Sequence, residues 1–246
     1  MSFITSNLGQ YSYFQRQLDR PRWRGKKVLD FGGNIGNMIA HPASSIEHDN
    51  YWCIDISKDA INQGRRNHPN AHFIFYNRYN FEYNPEGIEG LEVPDTGNKF
   101  DYILALSVFT HTSRAEMIEI ASHLRTLLTG GGCFAFTFLD PHYAPVDSDM
   151  CNLEYYLRNR ALAPSYAELN HLVNKAQGTR WCTLANGTLE IESEWRRNGQ
   201  RHKQRGYLAF YATEYFRTIF PDGEIRLPVR PYDRQHCCII RNGIQD

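Results

Sequence analysis

The stretch Lys27-Val-Leu-Asp-Phe-Gly-Gly-Asn-Ile-Gly36 decides the fold of this 246-residue chain. Its first residues, Lys27 to Phe31, have the apolar character of a buried strand, and a glycine-rich turn follows directly. Glycine allows a sharp turn with positive φ, and it lets a ligand approach the backbone because no Cβ is in the way. Nucleotide-like ligands bind at strand-to-helix turns of this kind. The stretch therefore predicts a nucleotide-type binding site, provided that the rest of the chain supplies a matching sheet.

The composition excludes several classes of partner. Lys+Arg and Asp+Glu both number 27, so no net charge attracts the chain to nucleic acid or to a membrane surface. No apolar run approaches the roughly 18 residues of a membrane span, and the N-terminus lacks the pattern of a secretory signal. The six cysteines show no CxxC or Cys/His ligand spacing. We therefore expect a cytoplasmic protein with reduced thiols, no metal site and no nucleic-acid or membrane partner.

Strand-like and helix-like segments alternate from the glycine turn to Leu139. Apolar runs typical of buried strands cover 51–55, 72–76, 100–106 and 133–139. Ser57 is suited to cap one intervening helix, and Ser113-Arg-Ala-Glu116 forms a capping box for another. Gly130-Gly-Gly132 is expected to end that second helix. The alternation predicts an α/β fold with a doubly wound, mostly parallel sheet.

The alternation stops after Asp140, which suggests an insertion in the core. Residues 25–140 are predicted to form the binding core, and residues 141–207 a cap on its ligand side. Within the cap we expect a helix beginning at the capping box Ser165 to Glu168, and a hairpin turning at Ala185-Asn-Gly187. Residues 208–246 are predicted to return to the core with a helix and two strands. Residues 1–24, aromatic and basic, form either a helix at the sheet edge or a lid.

The strand ends resemble those of class I S-adenosylmethionine-dependent methyltransferases. The run Asp30-Phe-Gly-Gly-Asn-Ile-Gly36 is similar to that family's first motif, an acid followed by spaced glycines, and Asp55 matches the acid at the end of its second strand. Phe100 to His111 is similar to the fourth motif, and Leu127 to Gly132 to the turn before strand five. The resemblance covers residues 26–140 and 208–241. It implies a Rossmann-like sheet with a reversed last strand, S-adenosylmethionine as cofactor, and methyl transfer as the activity.

The chemistry of that cofactor assigns roles to particular residues. A carboxylate such as Asp55 can accept hydrogen bonds from a ribose diol, and it follows Gly36 by 19 residues (55 − 36), close to the roughly 20 expected. Asp30 is expected to supply negative potential near the sulfonium, and Ile56 and Asn77 to contact the adenine. Nicotinamide-binding domains lack an acid two residues before the first glycine, so they match less well. The expected cofactor-binding residues are Asp30, Gly32, Gly33, Asn34, Gly36, Asp55, Ile56, Asn77 and Ser107.

Asn34 departs from the family pattern, which has glycine at this position. Asn tolerates left-handed backbone angles, so we expect the turn to keep its shape. Its side chain is expected either to contact the cofactor or to narrow the space for it. A merely solvated strand end is the alternative role for Asp55.

The acceptor side of the reaction is less well defined by the sequence. Methyl transfer requires an acceptor lone pair about 3–3.5 Å from the methyl group with water excluded, and an O or N acceptor gains from a general base. His142 after the fifth strand is the predicted base, with Tyr143 as a second candidate. His111 after the fourth strand is either catalytic or structural.

The resemblance therefore leads to the hypothesis of a methyltransferase for an O or N atom of a small metabolite or natural product. Two alternatives stay open. The acceptor is a peptide or protein held by the basic run Arg196 to Arg205, or the chain is a cofactor-binding module without transfer chemistry. For the basic run itself, a solvated loop is the simpler interpretation.

Overall fold

The structure, a computed structural model, describes residues 9–159, 188–195, 204–230 and 233–243. The strands are β1 (Val28–Phe31), β2 (Tyr51–Asp55), β3 (His72–Phe75), β4 (Phe100–Ala105), β5 (Leu128–Phe138), β6 (Thr188–Trp195), β7 (Gln204–Tyr211), β8 (Glu224–Arg226) and β9 (His236–Arg241). The helices of the described residues are α1 (Gly9–Gln17), α2 (Asn37–Ala40), α3 (Lys58–Asn67), α4 (Arg114–Thr126), α5 (Asn152–Asn159) and α6 (Thr213–Ile219).

A seven-stranded sheet, in the order β3-β2-β1-β4-β5-β9-β8, organises the described residues. Neighbouring strands from β3 to β5 are parallel, whereas β9 runs antiparallel to both β5 and β8. The prediction of a Rossmann-like, mostly parallel sheet with a reversed last strand is therefore confirmed. Strand order changes direction between β1 and β4, and doubly wound sheets bind ligands at such a switch point.

Helix caps follow the sequence signals. Ser57 accepts a hydrogen bond from the amide of Ala60 at the start of α3. Ser113 and Glu116 form the expected reciprocal capping box at the start of α4. Both helices therefore begin where local side-chain chemistry satisfies their first N–H groups.

β5 begins earlier than predicted. We expected Gly130-Gly-Gly132 to end α4, but α4 ends at Thr126 and the glycines lie inside β5. The pairing of β4 with β5 shifts register between Phe100 and Tyr102, and Gly131 has a φ of 77°. The glycines thus allow an irregularity within a strand, which apolar periodicity does not reveal.

The strands β6 and β7 form a separate antiparallel hairpin. The register runs from Thr188 opposite Tyr211 to Trp195 opposite Gln204. The sequence predicted that 188–191 would pair with 181–184, but 181–187 lie outside the described residues, and the described pairing is with β7. β7 also crosses the predicted boundary between residues 207 and 208. The predicted cap features at 165–168 and 196–203 lie outside the described residues.

Apolar clusters cover both faces of the sheet. Alternate residues of β5 serve different clusters, with Phe134 and Phe136 on one face and Cys133 and Ala135 on the other. α4 packs on the first face and α1 on the second. The aromatic N-terminal stretch therefore contributes to the core on a face of the sheet rather than along its edge. In the described part of the chain, no helix has the length and apolar character to cross a membrane.

Gly64 provides a test of the contact between α3 and the sheet. A Cβ at Gly64 would lie 2.2 Å from Cε1 of Phe73 on β3. Replacing a helical glycine by alanine normally stabilises by about 1 kcal/mol, but overpacking a core costs about 1–3 kcal/mol. We expect Gly64→Ala to lower the free energy of unfolding by about 1 kcal/mol in urea denaturation.

The matched control is the same substitution in a Phe73→Leu background. There the crowding ring is gone, so Gly64→Ala should be neutral or stabilising. An identical effect of Gly64→Ala in both backgrounds would contradict this account of the packing.

Candidate active site

The turn after β1 contains three residues with left-handed backbone angles. Gly32, Asn34 and Gly36 have φ values of 79°, 56° and 91°, so the expected left-handed conformation of Asn34 is confirmed. The amide of Gly32 donates to the carbonyl oxygen of Ile54 at 2.7 Å, which ties the turn to β2. A Cβ at Gly32 would lie 2.4 Å from Cγ2 of Val108. The loop after β4 is thus in direct contact with the turn.

Asp55 holds the turn from the end of β2. Its Oδ2 accepts the amide N–H of Asn34 at 2.8 Å, and its Oδ1 accepts that of Ser57 at 2.7 Å. Burial raises the pKa of Asp55, while the N–H donors of Ser57 and Asn34 act in the opposite direction. An ionised carboxyl group has about four acceptor sites. Asp55 therefore retains capacity for a ligand hydroxyl while it positions the turn.

Asp30 lies beneath the turn and is sealed from solvent. The Nε2 of Gln10 donates to its Oδ1 and the hydroxyl of Tyr51 to its Oδ2, both at 2.6 Å. A Cβ at Gly33 would lie 2.5 Å from Cγ of Asp30, so this position accepts only glycine. Burial raises the pKa of Asp30 to about 7, although both hydrogen bonds lower it. The negative potential expected from Asp30 therefore depends on pH near neutrality.

Sequence reasoning did not identify the two partners of Asp30. Gln10 and Gln17 are buried on α1 together with Tyr13 and Phe14. The spacing of these four residues along one helix face is the sequence pattern that could have indicated their burial. Glutamine on a buried helix face is unexpected because polar side chains are mostly exposed. Tyr51 had only the character of an ordinary strand residue.

One polar atom of the turn has no partner. Oδ1 of Asn34 is buried and makes no hydrogen bond within the described residues. Leaving a buried acceptor unsatisfied costs about 1–3 kcal/mol. A hydroxyl or ammonium group of a ligand lying on the turn would satisfy it. The glycine surface, the carboxylate of Asp55 and this orphaned oxygen fit a cofactor that carries both a ribose and an amino-acid tail.

The remaining predicted cofactor residues also follow the carboxyl ends of strands. Ser107, after β4, has a φ of 59° and donates its amide N–H to Oγ1 of Thr137 at 2.7 Å. Its hydroxyl accepts from Nε2 of Gln235 at 3.0 Å. Oδ1 of Asn77, after β3, accepts from Asn84 at 3.2 Å. Ile56 packs against the core from the end of β2.

His111 is held in a fixed orientation after β4. It lies in a short 3₁₀ turn, Phe109–His111, before the cap of α4. Its Nδ1 is 2.9 Å from the carbonyl oxygen of Tyr207 and 3.1 Å from Oε2 of Glu82. Both partners are acceptors, so Nδ1 carries the proton and the Nε2 of a neutral ring is a potential proton acceptor. Glu82 and Tyr207 are 29 and 96 residues away in sequence, which explains why sequence reasoning missed them.

The loop after β5 places His142 in a different environment. Its side chain is exposed, and its amide donates to Oδ1 of Asp140 at 2.9 Å. Partial covering of the ring by neighbouring groups lowers the pKa of His142, while the carboxylates of Asp140 and Glu214 raise it. The ring of Tyr143 packs edge-on against His236, with the centroids 4.9 Å apart. Among the described residues, no group of three or more His, Cys, Asp or Glu side chains is arranged to hold a metal ion.

Comparisons with known proteins agree with this geometry. A family model described as "Methyltransferase domain" matches residues 29–134. A search of curated proteins found no significant match. Among solved structures, the chain is similar to an S-adenosylmethionine-dependent methyltransferase from Clostridium acetobutylicum, with a TM-score of 0.54, 10% identity and coverage of 98% of this chain and 93% of that one.

Two further structures are similar over their length. The glycopeptide N-methyltransferase MtfA has a TM-score of 0.52 and 7% identity, with 97% of this chain and 91% of that one covered. CalS10, an amino pentose methyltransferase from Micromonospora echinaspora, has a TM-score of 0.52 and 12% identity, with 97% and 92% covered. At such low identities the likeness establishes the fold.

The buried carboxyl group of Asp30 predicts a particular pH dependence of stability. Its pKa of about 7 in the folded chain lies above the roughly 3.9 of an unfolded aspartate. The folded state therefore binds more protons between these values, and stability falls as pH rises from about 4 to 7. We expect the wild type to lose about 2 kcal/mol relative to Asp30→Asn between pH 5 and pH 8. Urea unfolding at both pH values measures the difference.

The control is Asp59→Asn, which removes an exposed acid at the start of α3. It should leave the pH slope of the wild type unchanged. A parallel slope for Asp30→Asn and wild type would show that Asp30 is ionised throughout this range.

Proposed function

This chain carries a class I S-adenosylmethionine-dependent methyltransferase domain, and from that premise we propose that it methylates an N or O atom of a small-molecule acceptor. S-adenosylmethionine is the cofactor of this domain. The observation that carries the proposal is the turn of residues 32–36, to which Asp55 is hydrogen-bonded and in which a buried oxygen of Asn34 has no partner among the described residues. A turn built in this way presents backbone, carboxylate and amide to one ligand.

We assign the cofactor contacts to the residues at the strand ends. When bound, S-adenosylmethionine supplies an activated methyl group. Gly32 and Gly33 let the turn pack closely on Val108 and Asp30 and present its backbone to the cofactor, and Asp55 accepts hydrogen bonds from the ribose. Oδ1 of Asn34 accepts from a donor of the ligand. Asn77 and the other predicted residues, Asp30, Gly36, Ile56 and Ser107, complete the surroundings.

His111 is the base that the geometry favours. Glu82 and the carbonyl of Tyr207 hold the proton at Nδ1, so Nε2 is left to receive a proton from the acceptor. His111 also lines a cavity of about 120 Å³ at the same end of the sheet. His142, predicted from sequence, is the alternative base, with Tyr143 beside it. Both follow β5 at the same edge of the sheet.

The acceptor class is inferred from proteins of similar fold. Two proteins of similar fold are named as methyltransferases of an amino pentose and of a glycopeptide nitrogen. By analogy with these two proteins, we propose a small-molecule acceptor for the present chain. The peptide or protein alternative depended on the basic run Arg196 to Arg205; residues 196–203, like the side chains of 204 and 205, lie outside the part that the structure describes.

Asp55→Asn tests the cofactor assignment. Asparagine keeps one acceptor oxygen for the main chain but loses the charge and one acceptor. We expect the affinity for S-adenosylmethionine to fall at least about tenfold, because hydrogen bonds to a charged group are the stronger ones. Isothermal titration calorimetry measures the affinity, and thermal unfolding verifies that the variant is folded.

Asp59→Asn again serves as the matched control and should bind as wild type does. Equal binding by the wild type and Asp55→Asn would refute the site. Incubation of the wild type with methyl-labelled cofactor and cell extract then identifies the acceptor.

The proposed base is tested with that acceptor. His111→Ala should lower kcat at least about a hundredfold with little change in the KM for the cofactor, since general bases contribute about 10²–10⁴-fold. Added imidazole should restore part of the activity, because it occupies the space of the lost ring. Glu82→Gln should lower kcat less, since Glu82 acts only through the orientation of His111.

His142→Asn separates the two histidines. Loss of activity in His142→Asn but not in His111→Ala would transfer the role to His142. A merely structural role of His111 predicts loss of stability without rescue by imidazole.

A further inference from the structure

One face of the β6–β7 hairpin carries a row of polar groups. The register places Thr188 opposite Tyr211 and Glu190 opposite Ala209, so these side chains project from the same face, together with Tyr207. The opposite face packs in an apolar cluster with the end of β5 and α5; its hairpin members are Leu189, Ile191, Leu208 and Phe210. The polar row therefore faces the core and the start of α4.

Three hydroxyls in this row are buried. Those of Thr188 and Tyr211 make no hydrogen bond within the described residues, and that of Tyr207 lies within hydrogen-bonding reach of the Glu190 carboxylate. The side chain of Tyr207 is 6% exposed and that of Tyr211 is not exposed at all. Such groups are rare in folded proteins because a buried hydroxyl normally finds a donor or acceptor. Their presence on one face gives this part of the hairpin a polar character inside an otherwise apolar core.

Tyr207 borders a cavity of about 120 Å³. Burial raises the pKa of Tyr207, and the charge of Glu190 and a hydrogen bond to it raise the pKa further, so the hydroxyl lies beside this carboxylate. This volume corresponds to roughly four water molecules, enough for one small group of a larger ligand. The aromatic and acidic side chains that line the cavity are Tyr79, Phe81, Glu116, Glu190 and Tyr207.

The surroundings of the cavity are predominantly negative. Arg78 pairs with both oxygens of Glu119 at 2.9 Å, and its Nε is 3.6 Å from Glu116. The backbone N–H of Arg114 donates to Glu190 at 2.7 Å, and its guanidinium donates to Tyr215. With Glu82, four carboxylates stand against two guanidinium groups among the side chains that the structure describes here. A further cation is therefore favoured in this partly buried setting.

We propose that this cavity binds a protonated amino group of the acceptor. Glu190 and Glu116 supply opposite charge, the rings of Tyr79, Phe81 and Tyr207 supply the aromatic surface that attracts cations, and the Tyr207 hydroxyl accepts a hydrogen bond. The inference rests on the proposed function, because it takes the acceptor to lie beside His111. A protonated amine has no lone pair, so the methylated atom is another group of the same molecule.

Propylammonium is a suitable probe, compared with 1-propanol and propionate, which have similar size but different charge. Ligand-observed NMR titration of the full chain without cofactor measures binding. We expect saturable binding of propylammonium, at least about tenfold tighter than that of 1-propanol, and no binding of propionate. Equal binding of propylammonium and 1-propanol would overturn the proposal.

Two variants connect the binding to the cavity. Glu190→Gln keeps an oxygen for the Arg114 amide and should weaken propylammonium binding at least about tenfold. Tyr207→Phe removes the hydroxyl beside Glu190 and should weaken propylammonium binding about fivefold. Glu89→Gln, an exposed charge on the loop before β4, is the control and should bind as wild type does.

Unchanged binding in Glu190→Gln would also overturn the proposal. Titration of S-adenosylmethionine into the same samples distinguishes the two hypotheses. Cofactor binding without amine binding refutes the cavity assignment alone. Amine binding without cofactor binding refutes the proposed function and leaves the cation site in place.

Discussion

The contact between the Asp30 carboxyl group and the underside of Gly33 is the constraint on which the site depends. Because this carboxyl group fills the space where a Cβ would stand, the turn passes over it only with glycine. Gln10 and Tyr51 then anchor the same group to α1 and β2. One buried acid thus connects the N-terminal helix, two strands and the turn. The shape of the binding surface therefore follows from core packing as much as from the surface itself.

The loop after β4 connects the glycine turn to the side of the site where the acceptor is proposed to bind. Val108 packs against Gly32, and Ser107 is held in a left-handed conformation by β5 and the segment before β9. The 3₁₀ turn that begins two residues after Ser107 brings His111 against Glu82 and the hairpin. The cofactor turn and the proposed base are therefore positioned by one continuous set of packed and hydrogen-bonded groups, although they come from different strands.

What the sequence predicted correctly has local causes. The caps of α3 and α4, the glycine turn and the position of Asp55 depend on residues close together in the chain, as strand and helix periodicity does. The contacts that sequence reasoning missed join Gln10 to Asp30, Glu82 to His111 and Tyr207 to His111, across 20, 29 and 96 residues. Such pairs are set by topology, and no pattern within a short window encodes them. The irregular start of β5 was missed because its glycines also suit a helix end.

Glu116 illustrates how stability and recognition are divided in this fold. Its carboxylate caps α4 through Ser113 and also lines the cavity beside His111, so a change at Glu116 affects helix and cavity together. Glu190 and Tyr207 line the same cavity from the hairpin, outside the seven-stranded sheet. Substituting hairpin residues can therefore alter the cavity without disturbing the cofactor turn. In this chain the glycine turn belongs to the sheet and the cavity beside His111 is partly built by the hairpin, so the two surfaces can vary independently.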